Sequence, residues 1–393
     1  MEMSELTALL TREGLALLDE TGSVESSADV ARSVSRLRAA GHSPDLVSAV
    51  VGQARLRVKA RPKFGEFADR MLFTRAGLEQ ATRLSVATMH AIRLRRAGIT
   101  RVADLGCGIG GDSLAFAGAG LAVEAVDADE VTSAIAAYNL APFPDASVRQ
   151  GTAETSLPEE GAVWLDPARR TAGHSETTRT SAADWSPSLD WCFEVAREHP
   201  AGIKLGPGLD RDLIPDDVEA QWVSADGSVV ELVLWSGELA RAGIRRSALV
   251  MQAGETHEIT AAADADDEPV RPLGAYLHEP DGAVIRARLI GEVARRLEAG
   301  MVDEQIAYLT GDAALTSPFV QSFRVRETMA AHVKTINQAL RAHGIGRLEI
   351  KKRGMDIDPA AFRKKLSLKG SAAATLILTR TTSGRVAILA DRV

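Results

Sequence analysis

An α/β protein built on a doubly wound parallel sheet, with a helical segment before it and an α+β segment after it, is the architecture this sequence predicts. Three observations predict it. From about Arg101 short apolar strands alternate with helical stretches. A glycine-rich turn, GCGIGG at 106–111, joins the first of those strands to the first of those helices. The helical periodicity of the first sixty residues stops before the alternation begins, and a strand-and-helix mixture of different charge follows it.

Taken in order, SELTALLTREGLALLDET and SADVARSVSRLRAAG place apolar residues three and four apart, and SPDLVSAVVGQARLRVKA opens with a Ser-Pro helix start. KARPKFGEF breaks the pattern, which sets residues 1–62 apart as a helical domain. In 63–240, RVADLG, LAVEAVD, SVRQG and AVWLD read as strands, with helices at GDSLAFAGAG and EVTSAIAAYNL. SLDWCFEVAREHP (a helix), AGIKLGPG, EAQWVSA and SVVELVLWSG (strands) continue the sheet. In 241–393, RSALVMQAG and ETHEITAAA read as a hairpin and DADDEP as an exposed acidic turn. Helices at AVIRARLIGEVARRLEAG, TMAAHVKTINQALRAHG and DPAAFRKKLSL are interleaved with strands at SFRVRE, RLEIKKRG, AATLILTRT and RVAILADRV.

Composition narrows the class. The chain has 393 residues, 45% hydrophobic and 25% charged, enough for a substantial core in each of two or three domains. Two cysteines, Cys107 and Cys192, supply neither a disulfide framework nor a cysteine-rich zinc site, and the eight histidines show no metal spacing. No metal is expected. The acidic start MEMSELTALLTREG lacks the basic and apolar regions of a signal peptide, and no apolar run approaches a bilayer span, so a cytoplasmic protein is expected. The net charge of −7 argues against a nucleic-acid partner, but its distribution does not. Residues 321–393 hold 15 Lys and Arg against 5 Asp and Glu, a balance of +10, which leaves −17 on the remainder. That split suggests a basic binding module on an acidic body.

The chemistry concentrates around RVADLGCGIGGDSLAFA. Gly106, Gly108 and Gly110 follow a strand and open a helix, where glycines permit a tight turn and close approach of a ligand to backbone amides. Gly106, Gly108 and Gly111 also satisfy the dinucleotide pattern GxGxxG, and Asp127, about twenty positions on, would bind ribose hydroxyls in either case. Nicotinamide or flavin binding therefore competes at this point. Three details favour S-adenosylmethionine. Asp104 lies where it could anchor the loop or a methionine amino group. Asp112 puts negative charge where a pyrophosphate would sit. Asp166-Pro167 ends the fourth strand.

This ordered set resembles the class I S-adenosylmethionine-dependent methyltransferases. The resemblance implies a Rossmann-like sheet, with Asp104, Gly106, Gly108 and Gly110 around the methionine end and Asp127 on the ribose. Thr152, Ala153 and Glu154 would frame the adenine, with Thr152 standing where many relatives carry Asp. In amino-directed methyltransferases an [Asn/Asp]-Pro-Pro-aromatic motif accepts hydrogen bonds from an exocyclic amine and stacks the flipped base. Here the motif is Asp166-Pro167-Ala168-Arg169. Asp166 and the Pro167 carbonyl keep their parts, which makes them the catalytic candidates. Arg169 replaces the aromatic ring, and with Arg170 it would hold a base or a phosphate. Neither cysteine follows a catalytic strand, which argues against methylation of a cytosine carbon.

KFGEFADRMLFTRAGLEQATRLSVATMHAI looks like the pre-sheet segment of trimethylguanosine synthases and their bacterial relatives, where this segment closes over the cofactor. Phe73, Glu79, Gln80 and Thr82 match, Thr82 thereby joining the cofactor set, and Arg83 replaces the usual proline. Asp-Pro-Ala-Arg-Arg, YLHEPDGAVIRARL and the basic C-terminal region resemble bacterial class I methyltransferases with a THUMP-like C-terminal domain, over most of the chain. THUMP domains bind RNA. In that region Lys351, Lys352 and Arg353 end a strand, and Arg363, Lys364, Lys365 and Lys369 lie on or after the next helix, a cluster suited to phosphate contacts. The expected function is methylation of a base, at an exocyclic amine, in rRNA or tRNA. A small-molecule methyltransferase, a non-catalytic RNA-binding protein and, more distantly, an oxidoreductase remain open at this point.

Overall fold

The computed structural model describes residues 1–169 and 185–393, which fall into two compact units. The first comprises residues 1–205 with 209–218 and 233–241, and the second comprises 206–208, 219–232 and 242–393.

The first unit opens with helices Met3–Leu9, Arg12–Thr21, Ser27–Ala39 and Pro44–Phe64. Thr11, Ser26 and Ser43 cap the last three through their side chains, each accepting from a backbone N–H that the helix leaves unpaired. The last helix ends inside KARPKFGEF, where the break is expected, though not at Pro62 itself. In the last turn a proline forfeits one N–H bond, and the helix runs on to bury Phe64 before Gly65, at φ +57°, ends it. One hydrophobic core joins these helices to the sheet, running from Leu6 and Leu9 through Val50 and Phe64 to Val102, Phe116 and Trp164.

The sheet strands are β1 (Arg101–Leu105), β2 (Ala122–Asp127), β3 (Ala146–Gln150), β4 (Ala162–Leu165), β5 (Ala201–Leu205), β6 (Glu219–Ala225) and β7 (Ser228–Trp235). In the first unit the order is β3-β2-β1-β4-β5, with residues 233–235 of β7 beside β5. The pairs β1–β2, β2–β3, β1–β4 and β4–β5 are all parallel. Every residue of β4 and β5 is buried, as expected for strands covered on both faces. Strand order reverses between β1 and β4, so the crevice beyond their carboxyl ends is where an open α/β sheet binds ligands.

In the second unit β6 pairs in parallel with β8 (Arg246–Gln252), which forms the expected hairpin with β9 (Glu255–Ala261). A seven-stranded sheet follows, made of β10 (Tyr276–Pro280), β11 (Gly300–Asp303), β12 (Ile306–Gly311), β13 (Val320–Ala330), β14 (Ile345–Lys352), β15 (Ala372–Thr381) and β16 (Gly384–Arg392). Its order is β11-β12-β10-β13-β16-β15-β14. The sheet curls on itself, because Arg380 on β15 pairs with Asp303 on the far edge strand at 2.8 Å. Leu277, Tyr308, Phe323, Ile377 and Ile388 fill the inside of the curl. Here the structure departs from the sequence reading. The single helix expected over 283–300 is two, Gly282–Arg286 and Ile290–Arg296, broken at Arg288 with φ +57°. Strands β10, β11 and β12 were not anticipated. His278 on β10 is fully buried, its Nδ1 2.8 Å from Ser322 Oγ and its Nε2 without a partner, and burial pushes its pKa down to about 4.

Candidate active site

The turn between β1 and helix Gly111–Gly118 is built by backbone constraints that only glycine meets. Gly106 has φ +96°, and an added Cβ would lie 3.1 Å from the Asp166 carbonyl oxygen. Gly108 has φ +56°, and an added Cβ there would meet nothing within 4 Å. Turn and Asp-Pro exit therefore touch backbone to backbone, while the space over Gly108 is open. The amides of Gly106 and Cys107 both donate to the Val126 carbonyl at 2.9 Å, which ties the turn to the end of β2. Asp127, the next residue, accepts from Gly108 N at 2.9 Å and from Asp129 N at 3.0 Å. Burial raises its pKa against these two bonds.

Asp104 is 1% exposed, and its Oδ2 accepts from Ser113 Oγ at 2.5 Å. Its Oδ1 has no hydrogen-bond partner. Burial, and then the neighbouring charge of Asp112, push the carboxyl up to about 8. A buried acceptor left unsatisfied beside a tight turn is a place for a cationic donor.

Beneath the turn lies a network that sequence reasoning missed. Lys204, in β5, reaches Asp166 Oδ2 at 2.6 Å, Asp112 Oδ2 at 3.0 Å and Thr82 Oγ1 at 2.8 Å. Thr82 donates to Asp112 Oδ2 at 2.9 Å, and His90 Nδ1 lies 2.9 Å from Asp112 Oδ1. Burial alone would raise the Asp112 pKa. Lys204 and His90 more than offset it and hold the carboxyl well below its usual range. The Thr82 hydroxyl, expected at the cofactor, donates its hydrogen to Asp112 and accepts from Lys204. His90 packs on Trp164 with ring centroids 4.5 Å apart, and Trp164 is wholly inside the core.

The loop after β3 returns to the same end of the sheet, with Gly151 N donating to the Asp127 carbonyl at 3.0 Å. Ala153 is buried, while Thr152 and Glu154 are exposed; Thr152 Oγ1 is 3.2 Å from Thr155 Oγ1. Pro167 is buried and Asp166 is partly exposed. Arg170 and the Arg169 side chain lie outside the described residues. Of the pre-sheet positions, Phe73 is buried and Glu79 and Gln80 are exposed. Both cysteines are buried, and Cys192 is pushed up to about 12 by burial and Glu154. Asp104, Gly106, Gly108, Gly110, Asp127 and Asp166 thus converge on one end of the sheet.

Within the basic C-terminal cluster, two cations are drawn to one carboxylate. Lys351 pairs with Glu279 Oε2 at 2.5 Å, and Arg353 lies 3.9 Å from Glu279 Oε1 and over the Tyr308 ring at 5.3 Å. Glu279 thereby draws both cations to one side of β14, whereas Lys352, Lys364 and Lys365 are exposed. Among the described residues no cluster of His, Cys, Asp or Glu has metal-ligating form, and no helix is long and apolar enough to cross a membrane.

This sheet order and glycine turn are common to dinucleotide- and S-adenosylmethionine-binding sheets, and comparison with known proteins decides for an S-adenosylmethionine-dependent methyltransferase. Two uncharacterised S-adenosylmethionine-dependent methyltransferases from Mycobacterium tuberculosis strains CDC 1551 and H37Rv are each 35% identical to the chain over 364 residues, 89% of this chain and 96% of theirs. The chain belongs to their family. A Porphyromonas gingivalis W83 protein of known crystal structure, assigned to the methyltransferases, shares the fold with a TM-score of 0.72 at 20% identity, over 89% of this chain and 91% of that one. A THUMP domain-like family matches residues 320–392, and a domain of unknown function (DUF8688) matches residues 2–60. The unsatisfied Asp104 Oδ1 and the open space over Gly108 leave an acceptor and room for S-adenosylmethionine at this turn.

Proposed function

We propose that the protein methylates an exocyclic amine of an RNA base, with Asp166 and the Pro167 carbonyl aligning the acceptor. The observation that carries this reading is the position of Asp166, held by Lys204 at 2.6 Å and packed against Gly106 of the turn. S-adenosylmethionine, when bound, supplies an electrophilic methyl on a sulfonium. Asp104 and Gly106, Gly108 and Gly110 would hold its methionine end, Asp127 its ribose, and Thr152, Ala153 and Glu154 its adenine edge. Lys204 sits on Asp166 Oδ2 and orients the carboxylate. The Asp166 carboxylate and the Pro167 carbonyl would accept from the amine and turn the nitrogen lone pair toward the methyl carbon; as the N–C bond forms, the methyl–sulfur bond breaks to leave a neutral thioether, and the proton the amine sheds passes to the Asp166 carboxylate or to water. Arg169 and Arg170 would take the base or its phosphate.

RNA as the partner is supported by the THUMP domain-like match and by the +10 balance of residues 321–393. Lys352, Lys364 and Lys365 are among its exposed cations, and Lys351 and Arg353 are partly exposed beside Glu279. The reading treats 1–62, 63–240 and 241–393 as helical, catalytic and RNA-binding domains of a cytoplasmic enzyme. A small-molecule acceptor is the second reading, favoured by the pairing of Lys351 and Arg353 with Glu279. The test supplies labelled S-adenosylmethionine and RNA from cells lacking the protein to wild type and Asp166→Ala. Label in RNA with wild type and not with the variant is expected, on an amino-methylated nucleoside. Cofactor binding with no label in RNA would overturn the RNA assignment.

A further inference from the structure

Helix Pro44–Phe64 carries polar side chains where its core would favour aliphatic ones. Gln53 is fully buried and Arg57 nearly so, one turn apart, and Lys63 stands in the last turn. Their hydrogen bonds go largely to the backbone of a single segment, residues 71–82. Arg57 Nε donates to Met71 O at 3.1 Å. Gln53 accepts from Phe73 N at 2.9 Å and donates to Phe73 O at 2.6 Å. Lys63 Nζ donates at 2.8 Å to the carbonyls of Leu78, Glu79 and Ala81, at the end of helix Arg75–Gln80 where carbonyls lack helical partners.

The other side of the segment is bound to the glycine turn. Asn139, buried, accepts from Leu72 N at 2.8 Å and donates both to Leu72 O at 3.0 Å and to Ile109 O at 2.9 Å. Leu72 thus faces the turn while Met71 and Phe73 face the helix, the alternation of an extended chain held between two partners. At Gly77 an added Cβ would lie 2.5 Å from Ile109 Cγ2, and Thr82 bonds Asp112 in the first turn of the helix that follows. Segment 71–82 therefore meets the glycine turn and its helix directly at Gly77 and Thr82 and through Asn139 at Leu72, and is fastened from behind by helix Pro44–Phe64. Burying so many polar groups is costly unless each is satisfied, and here the satisfying groups lie on this segment.

We propose that helix Pro44–Phe64, most of which lies in the part that matches a domain of unknown function, is a positioning element for the cofactor turn, with Gln53 as its central positioning residue. Its role lies in cofactor affinity, not in choice of acceptor. The proposal rests on the reading of the glycine turn as the S-adenosylmethionine site. Full-length wild type, Gln53→Leu, Asp104→Leu and Leu37→Ala are compared by calorimetric titration with S-adenosylmethionine, by hydrogen exchange at residues 106–112 and by thermal unfolding. Leu37 is a buried residue of helix Ser27–Ala39 and serves as a stability control. Gln53→Leu is expected to weaken binding about tenfold, the equivalent of one or two lost hydrogen bonds, and to speed exchange in the turn. Leu37→Ala, lowering Tm at least as far, is expected to leave affinity at 20 °C and exchange in the turn unchanged. Equal losses of affinity in Gln53→Leu and Leu37→Ala would overturn the proposal, as would wild-type affinity in Gln53→Leu alongside lost binding in Asp104→Leu. Wild-type affinity in Asp104→Leu would instead remove the cofactor-site reading itself.

Discussion

Replacing Lys204 by methionine keeps an unbranched side chain one atom shorter and removes its charge. Two carboxylates, Asp112 at 3.0 Å and Asp166 at 2.6 Å, lose their shared cation. At about 3 Å and an effective dielectric near 20, each contact is worth roughly 5 kcal/mol before desolvation. Most of that is offset by the cost of burying the ions, and removing one partner of a buried pair leaves a net loss of about 3–5 kcal/mol. Asp166 is partly exposed and recovers water, so the loss falls chiefly on Asp112, which is left with Thr82 and His90. Adding Asp112→Asn to Lys204→Met removes the stranded charge and should recover at least ~2 kcal/mol. Because a chain of two units need not unfold in one step, the readout is hydrogen exchange of the β1 amides at several urea concentrations. A cost below about 1 kcal/mol for Lys204→Met, or a double variant whose cost is the sum of the singles, would refute the argument.

Two further expectations concern protons. Asp104 is protonated up to about pH 8 in the free protein, and an ammonium against it favours the ionised form. Binding of S-adenosylmethionine at pH 7 should then release close to one proton from this group, seen by calorimetry in buffers of different ionisation enthalpy. Affinity should rise between pH 6 and 7.5, and Asp104→Asn should abolish both effects. For His278 the folded-state pKa of about 4 lies below the unfolded value of 6.5. The unfolded chain therefore binds more protons between those values, and stability falls as pH drops through that window. The loss from pH 7.5 to 5 is about 2 kcal/mol in the C-terminal sheet. Exchange in β10 and β13 measures it, and a slope unchanged in His278→Leu would exclude this residue as the cause.

The glycine turn, Asp104, Asp127 and Asp166 were legible because each sits at a fixed offset from a strand end, and a parallel sheet brings strand ends together whatever lies between them. Lys204 was not legible, since its partners Asp112 and Thr82 are 92 and 122 residues away. The available signal was a cation in the middle of AGIKL, where every residue is buried and a lysine requires an anion. Gly202 in the same strand was equally mute, although an added Cβ would strike the Trp164 ring at 2.5 Å. In the C-terminal region charge counting found the basic residues and missed their balance, because Glu279 lies 72 residues before Lys351. The helix read over 283–300 failed for a local reason. Its apolar spacing continues through Arg288, but the backbone reverses there, and only the positive φ records it.

The contact between Gly106 and the Asp166 carbonyl has a practical consequence for anyone altering this enzyme. Grafting a different glycine turn, or a bulkier residue at position 106, would push on the main chain that carries Asp166. The reverse also holds, since re-aiming the Asp-Pro exit would press on the turn. The turn and the Asp-Pro exit share one tight contact, so, if they hold donor and acceptor as proposed, an effort to change what is methylated would have to rebuild both together.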